Sequence, residues 1–244
     1  MPDRRQEILD AALALADEQG LGAVSMRAVA ERTGVTPMAL YPHVGNKAAL
    51  LDGMLGRLLA DLLPPVTAAA DHWRASGTTH GRASGTTHGR ASGTTSQDWR
   101  QRLRTIAHLA RGLAHRHPWA ATLIFSRPSV APDAVRVVDQ IYAALIDAGV
   151  PDADVARVER LVSTFVIGYG ASETGGRFST GTLNPRGRRA QLAAGELPAH
   201  NALATWLDTP VDWDAEFETD LDDLVRLVEA IASGSARRAA AQVR

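Results

Sequence analysis

The sequence predicts an all-α fold, with three short helices at the N-terminus and a larger helical domain beyond a low-complexity linker. Three observations carry this. Apolar residues recur at spacings of three and four along most of the chain, caps, glycines and prolines punctuate those runs at helix-like intervals, and strand-like alternation is scarce. The expected division is 1–45 for the N-terminal module, 46–63 for a connecting helix and 64–97 for the linker. The second domain then occupies 98–235, and 236–244 form a flexible tail.

Residues 4–19 place Ile8, Leu9, Ala12, Leu15 and Ala16 on one helix face, and Gly20 stops that helix. Ser25 is positioned to cap a second helix running to Arg32, after which Gly34 supplies the backbone freedom for a sharp turn. Thr36 caps and Pro37 opens a third helix, which Pro42 should end or distort. Asn46 caps a fourth, whose Leu50, Leu51, Met54, Leu55, Leu58, Leu59 and Leu62 form a broad apolar stripe closed by Pro64-Pro65.

The octapeptide RASGTTHG at Arg74–Gly81 recurs at Arg82–Gly89 and begins again at Arg90. Such a unit buries too little apolar surface to offset the entropy of ordering it, so a linker is expected, and its His80 and His88 are assigned no role. Helical periodicity resumes with Leu103, Ile106, Ala107, Ala110 and Leu113. A short segment runs from Pro118 to Phe125, and a longer helix follows Pro132 up to Gly149. The helix starting near Asp152 is apolar almost all round between Leu161 and Ala171, which predicts a central position. A loop rich in glycine and threonine, Gly175 to Gly187, leads into Arg188 and Arg189. The last strong element spans Asp212 to Ser233.

A net charge of −1 excludes indiscriminate coating of nucleic acid, so any contact with DNA must be local. Between Ser25 and Leu50, Arg27, Arg32 and Lys47 face Glu31 alone, a modest positive patch. The lack of cysteine removes disulfides and thiolate metal sites and suits a reducing cytoplasm. The polar start lacks a signal-peptide pattern, and no apolar run is long enough to cross a bilayer, so a cytoplasmic protein without membrane contact is expected. No phosphate loop follows a strand and no Ser/His/Asp grouping sits on a nucleophile elbow, which argues against an enzyme. His108, His115 and His117 lack metal-ligand spacing, so neither a metal nor a cofactor is expected.

Two short helices around a tight glycine turn, backed by an amphipathic helix, have the plan of a helix-turn-helix DNA reader. The stretch SMRAVAERTGVTPMALYPHVGNKAALLDGM, most densely at LYPHVGNKAALL, resembles the DNA-binding region of the TetR family of transcriptional regulators over about residues 5–62. The resemblance implies a homodimer that grips double-stranded, partly palindromic operator DNA and is released by a small-molecule effector. It places the third helix, Pro37 to about His43, in the major groove.

Carried onto this sequence, Arg27 reaches a guanine edge or phosphate, or else pairs with Glu31 on its own helix. Thr36, Pro37 and Met38 stand at the leading end of the reading helix, where Pro37 and Met38 suit a thymine methyl unless Met38 packs inward. Tyr41 and His43 donate to phosphates, with packing the alternative for His43, and Lys47 adds charge beside the fourth helix. Leu40 and Val44 are core. Pro42 departs from the bulkier or polar residues of the family pattern.

For the second domain, Trp119, Phe125, Tyr142, Phe165, Tyr169, Glu173 and Trp206 are the candidate lining of an effector cavity, though helix-spaced aromatics also serve as plain core. Val155–Ser172 and Asp212–Ser233 are the candidate dimer helices, with Gly168 and Gly170 permitting close approach. A helical protein-interaction module also fits the composition, and activation in place of repression stays open.

Overall fold

The computed structural model describes residues 3–63, 95–127, 131–178, 195–207 and 209–242. Among these every regular element is helical. Most of the 64–97 linker, with His80 and His88, and the arginines at 186, 188 and 189 lie outside the described residues.

Helix α1 (Arg4–Gln19) starts where the Asp3 carboxylate accepts from the Arg5 N–H and stops at Gly20, with φ of 83°. A single 3₁₀ turn (Leu21–Ala23) leads to α2 (Met26–Arg32), capped by Ser25 Oγ, which accepts from the Ala28 N–H at 3.2 Å. The turn after α2 is a Schellman motif. The Val35 N–H donates back to the Ala30 carbonyl, and Gly34 takes a φ of 69° that a side chain would strain.

Helix α3 (Pro37–Val44) departs from two expectations. Thr36 makes no side-chain cap, and Pro42 lies inside the helix without ending it. Proline costs the helix only the one bond its nitrogen cannot donate. The last turn holds because Leu40 and Val44, four residues apart, are both buried and the Gly45 N–H closes onto the Tyr41 carbonyl at 2.9 Å.

Helix α4 (Lys47–Ala60) begins at Asn46, whose side chain accepts from the Ala49 N–H at 3.0 Å. It is the beam between the two halves. A Cβ at Gly53 would fall 2.7 Å from Leu9 Cδ2 of α1, and one at Gly56 would fall 2.9 Å from the Ala131 Cβ on the other side. Two small residues one turn apart therefore let α4 press on both domains, and one core runs continuously from Ile8, Leu40 and Met54 to Leu123, Ile141 and Leu145.

The second domain comprises α5 (Thr95–Arg116), α6 (Ala120–Ser126), α7 (Pro132–Asp147), α8 (Asp152–Thr174), the short α9 (Pro198–Ala202) and α10 (Ala204–Leu207), and α11 (Trp213–Gln242). Helix α5 packs against α7 and α8, while α4 rests on α6 and α7. Trp99, only 2% exposed, anchors the start of α5 in the main core, and the Arg100 guanidinium lies 4.5 Å over its ring. A smaller core holds Ala107, Val166, Tyr169, Phe217 and Leu221. Arg100, Arg102 and Arg104 extend from α5 to Glu229, Asp147 and Asp222 on the flanking helices.

Three further expectations change. Helix α11 continues to Gln242, through residues assigned to a flexible tail, because the Ala-Arg-Arg-Ala-Ala-Ala-Gln run is strongly helix-forming. Helix α5 starts within the assigned linker. Helix α8 is central on one side only, since Leu161 is 46% exposed, and Gly170 is used inside the chain, where a Cβ would fall 2.8 Å from that of Ala114.

Candidate nucleic-acid interface

The α2–turn–α3 unit is held from beneath by few side chains. Val29 and Ala30 of α2, and Leu40 and Val44 of α3, are buried against α1 and α4. Everything else from Thr36 to Ala48 faces solvent, including Pro37, Met38, Tyr41, His43 and Lys47. Met38 is 75% exposed, which removes the inward-packed alternative, and Tyr41 is 46% exposed. A short helix fixed by two apolar residues four apart turns its opposite face and leading end to solvent.

The charges are fewer than the sequence suggested. Arg32 is not available, because both its terminal nitrogens bind the Glu18 carboxylate, at 2.5 and 2.7 Å. That bidentate bond holds the Glu18 carboxyl below its ordinary range, with burial opposing and the charge of Arg32 assisting. Arg27 is exposed and forms no ion pair among the described residues, so the Glu31 partner considered for it is not engaged. Arg27 on α2 and Lys47 at the start of α4 therefore precede and follow the exposed face of α3 in the chain.

Two polar contacts tie this surface to the second domain. Arg127, just after α6, donates from Nε to Asp52 at 2.8 Å and from Nη2 to the Ala48 carbonyl at 3.1 Å, one residue from Lys47. Asp17 of α1 is bound by the Trp119 indole N–H and the His117 ring nitrogen Nδ1, both at 2.7 Å. Spacings of 75, 79, 100 and 102 residues left no trace of these contacts in the sequence pattern.

The residues chosen for an effector cavity fall into three places. Tyr169, Phe165 and Glu173 lie together along α8. Trp119 and Tyr142 pack against the main core, whereas Phe125 and Trp206 are 59% and 78% exposed. Trp206 stands beside an open groove lined by Leu203, Leu207, Pro210, Val211 and Ala215.

Around Tyr169 the structure adds residues that sequence reasoning missed as a group, namely Phe178, Trp213, Phe217 and Arg111. The rings of Phe178 and Phe217 lie 5.0 and 4.8 Å from Tyr169, and Trp213 stacks on Phe178 at 4.5 Å. Arg111 lies over Phe217 at 4.8 Å, binds Glu173 through two bonds of 2.8 and 2.6 Å, and reaches Asp214 at 2.7 Å. His115 also meets Glu173, at 2.9 Å. Burial, with Glu173 adding, pushes the Tyr169 hydroxyl up to about 12, so it stays protonated and donates to the Trp213 carbonyl. Among the described residues no His, Asp and Glu group forms a metal site, and no helix is long and apolar enough to cross a membrane.

Comparison with known proteins agrees with this geometry. Residues 8–54 match the family model described as bacterial regulatory proteins of the tetR family, and residues 92–230 match that of the tetracyclin repressor-like C-terminal domain. An HTH-type transcriptional regulator of Saccharopolyspora erythraea is 28% identical over 237 residues, covering 93% of this chain and 85% of that protein. Apo ActR of Streptomyces coelicolor shares the fold with a TM-score of 0.70 at 22% identity, over 96% of this chain and 99% of that one. BioQ, solved with its double-stranded DNA operator, aligns with a TM-score of 0.58 at 21% identity, over 93% and 99%. The chain belongs to the TetR family of bacterial regulatory proteins.

Proposed function

We propose that this chain is a ligand-responsive transcriptional repressor, which binds a partly palindromic operator as a homodimer and is released by a small molecule. The observation that carries the reading is the surface from Thr36 to Ala48, where only Leu40 and Val44 are drawn into the module, flanked by Lys47 and by Arg27, which has no ion-pair partner among the described residues. Met38 and Pro37 meet base edges, Tyr41 and His43 hold phosphates, and Lys47 strengthens a phosphate contact at the start of α4. The test is selection of bound duplexes from a random pool.

Arg27→Ala is expected to weaken binding by about 1–3 kcal/mol and relax preference at one base pair. Lys47→Ala should weaken all duplexes alike and lower the salt slope by about one. Intact affinity in both variants would overturn the site assignment.

Dimerisation is supported by apolar surface that this chain leaves uncovered on α8 and α11. Leu161 and Leu227 are 46% and 44% exposed, with Phe165, Leu224 and Ile231 only partly buried. Pairing these helices with a second copy would form a four-helix bundle and set the reading helices about 34–36 Å apart on DNA. Light scattering should report a dimer, and a monomer at micromolar concentration would rule this out.

ActR has been solved in complex with actinorhodin, and for this chain we place an effector site in the second domain. The Tyr169 cluster is our choice for it, in preference to the scattered Trp119, Phe125, Tyr142 and Trp206. An effector bound there would act through α6 and Arg127 on the first turn of α4. To swing the population from one extreme to the other it must prefer the released state by about 5.5 kcal/mol. An effector that binds without changing operator affinity would defeat the induction model.

A further inference from the structure

We propose that the reading helix recognises its operator chiefly through thymine C5-methyl groups, with Arg27 as the single strong hydrogen-bonding reader of base edges. The inference rests on the operator-binding reading above and specifies the chemistry of the half-site.

The exposed face of α3 consists of Pro37, Met38, Ala39, Tyr41, Pro42 and His43, preceded by Thr36. Side chains that discriminate bases by paired hydrogen bonds are arginine or lysine for guanine, asparagine or glutamine for adenine, and carboxylates for the cytosine amino group. None of these occurs between Thr36 and Gly45. Glu31 and Arg32 close α2, and Arg32 is held by Glu18 through both terminal nitrogens, so among the described residues Arg27 is the one guanidinium of the two helices without an ion-pair partner.

At the leading end, where such helices approach base edges, the surface is a pyrrolidine ring, a thioether chain and a methyl group. In the major groove only thymine offers an apolar edge. Met38 is the natural probe, being 75% exposed on a flexible, polarizable stem. Pro42 sits between Tyr41 and His43 and removes the hydrogen-bonding side chain that could have read a base there. The two residues that remain polar flank it and suit phosphates.

The experiment uses the full chain and the duplex selected from a random pool. Each thymidine of the half-site is replaced in turn by deoxyuridine, which deletes the methyl and keeps every hydrogen-bonding group. Replacement at positions under α3 is expected to weaken binding about fourfold per contacted methyl, the loss of one buried carbon. Met38→Ala should abolish that sensitivity at one position, whereas Arg27→Ala should weaken binding and leave it in place. A selected half-site without thymines under α3, or equal affinity for the deoxyuridine duplexes, overturns methyl readout while operator binding stands. Selection of no duplex at all overturns both.

Discussion

Leu40→Ala is expected to destabilise the N-terminal module by about 3 kcal/mol and to weaken operator binding, although Leu40 contacts no DNA. Its side chain is fully buried, and with Val44 it is all that seats α3 on α1 and α4. Removing it leaves a cavity under a helix of 8 residues that proline has already deprived of one internal bond. The exposed face of α3 would then lose its fixed tilt, and affinity would fall through misplacement of the residues proposed to touch bases. Met38→Ala is the matched control, since truncating an exposed side chain should alter stability by no more than about 0.5 kcal/mol while altering DNA preference. Urea unfolding followed by circular dichroism, paired with operator titration, checks both. An unchanged midpoint for Leu40→Ala would show that α3 is held by something other than this anchor.

Glu173→Ala is expected to cost about 3 kcal/mol in the second domain. Glu173 and Arg111 side chains are only 12% and 14% exposed, and removal of the carboxylate leaves Arg111 with Asp214, which is 88% exposed and can follow it only loosely. The guanidinium also sits against Phe217 and Tyr169, so the loss should loosen the aromatic cluster together with the ion pair.

The same pair predicts a pH dependence. The bond from Arg111 holds the Glu173 carboxyl below its ordinary value of 4.5, with burial opposing and His115 assisting. A carboxyl depressed by folding contributes its full stabilisation above its unfolded value and loses it as pH falls through the folded one. The wild-type chain should therefore lose stability on acidification below about pH 4.5. Asp220 works in the opposite sense, because burial, with Glu216 and Asp223, raises its carboxyl above 3.8 and favours its protonated form in the folded chain. Glu173→Gln keeps the shape of the site and should flatten the acid-side loss. A Glu173→Gln profile parallel to wild type would show that other carboxylates govern it.

Some of this was legible because its cause is local. Helix α1, the Ser25 and Asn46 caps and the glycine turns at 20, 34 and 149 depend on residues within about one helical turn, and each is where the sequence pattern placed it. The exposed face of α3 was legible for the same reason, since apolar residues four apart at Leu40 and Val44 leave their neighbours outward. Local rules failed where packing outweighed them. Pro42 was set to end or distort α3, yet it does not end it, because the buried anchors on either side keep the last turn helical.

The pairings of charge were not legible. Nothing near Arg32 marks Glu18, 14 residues earlier, as the partner that removes it from the positive patch, and Glu173 meets Arg111 across 62 residues. The aromatic candidates of the second domain all lie on or near helical runs, yet Tyr169 is buried in a cluster and Trp206 stands in solvent. Sequence by itself determined where most helices lie, the Ser25 and Asn46 caps and which side chains α3 turns outward, because those follow from backbone hydrogen bonding and periodicity over a few residues. The tertiary structure alone decided which charges are spent, which aromatics share a cluster and how Arg127 reaches the first turn of α4. Those outcomes depend on distances between segments far apart in the chain, which no local pattern encodes.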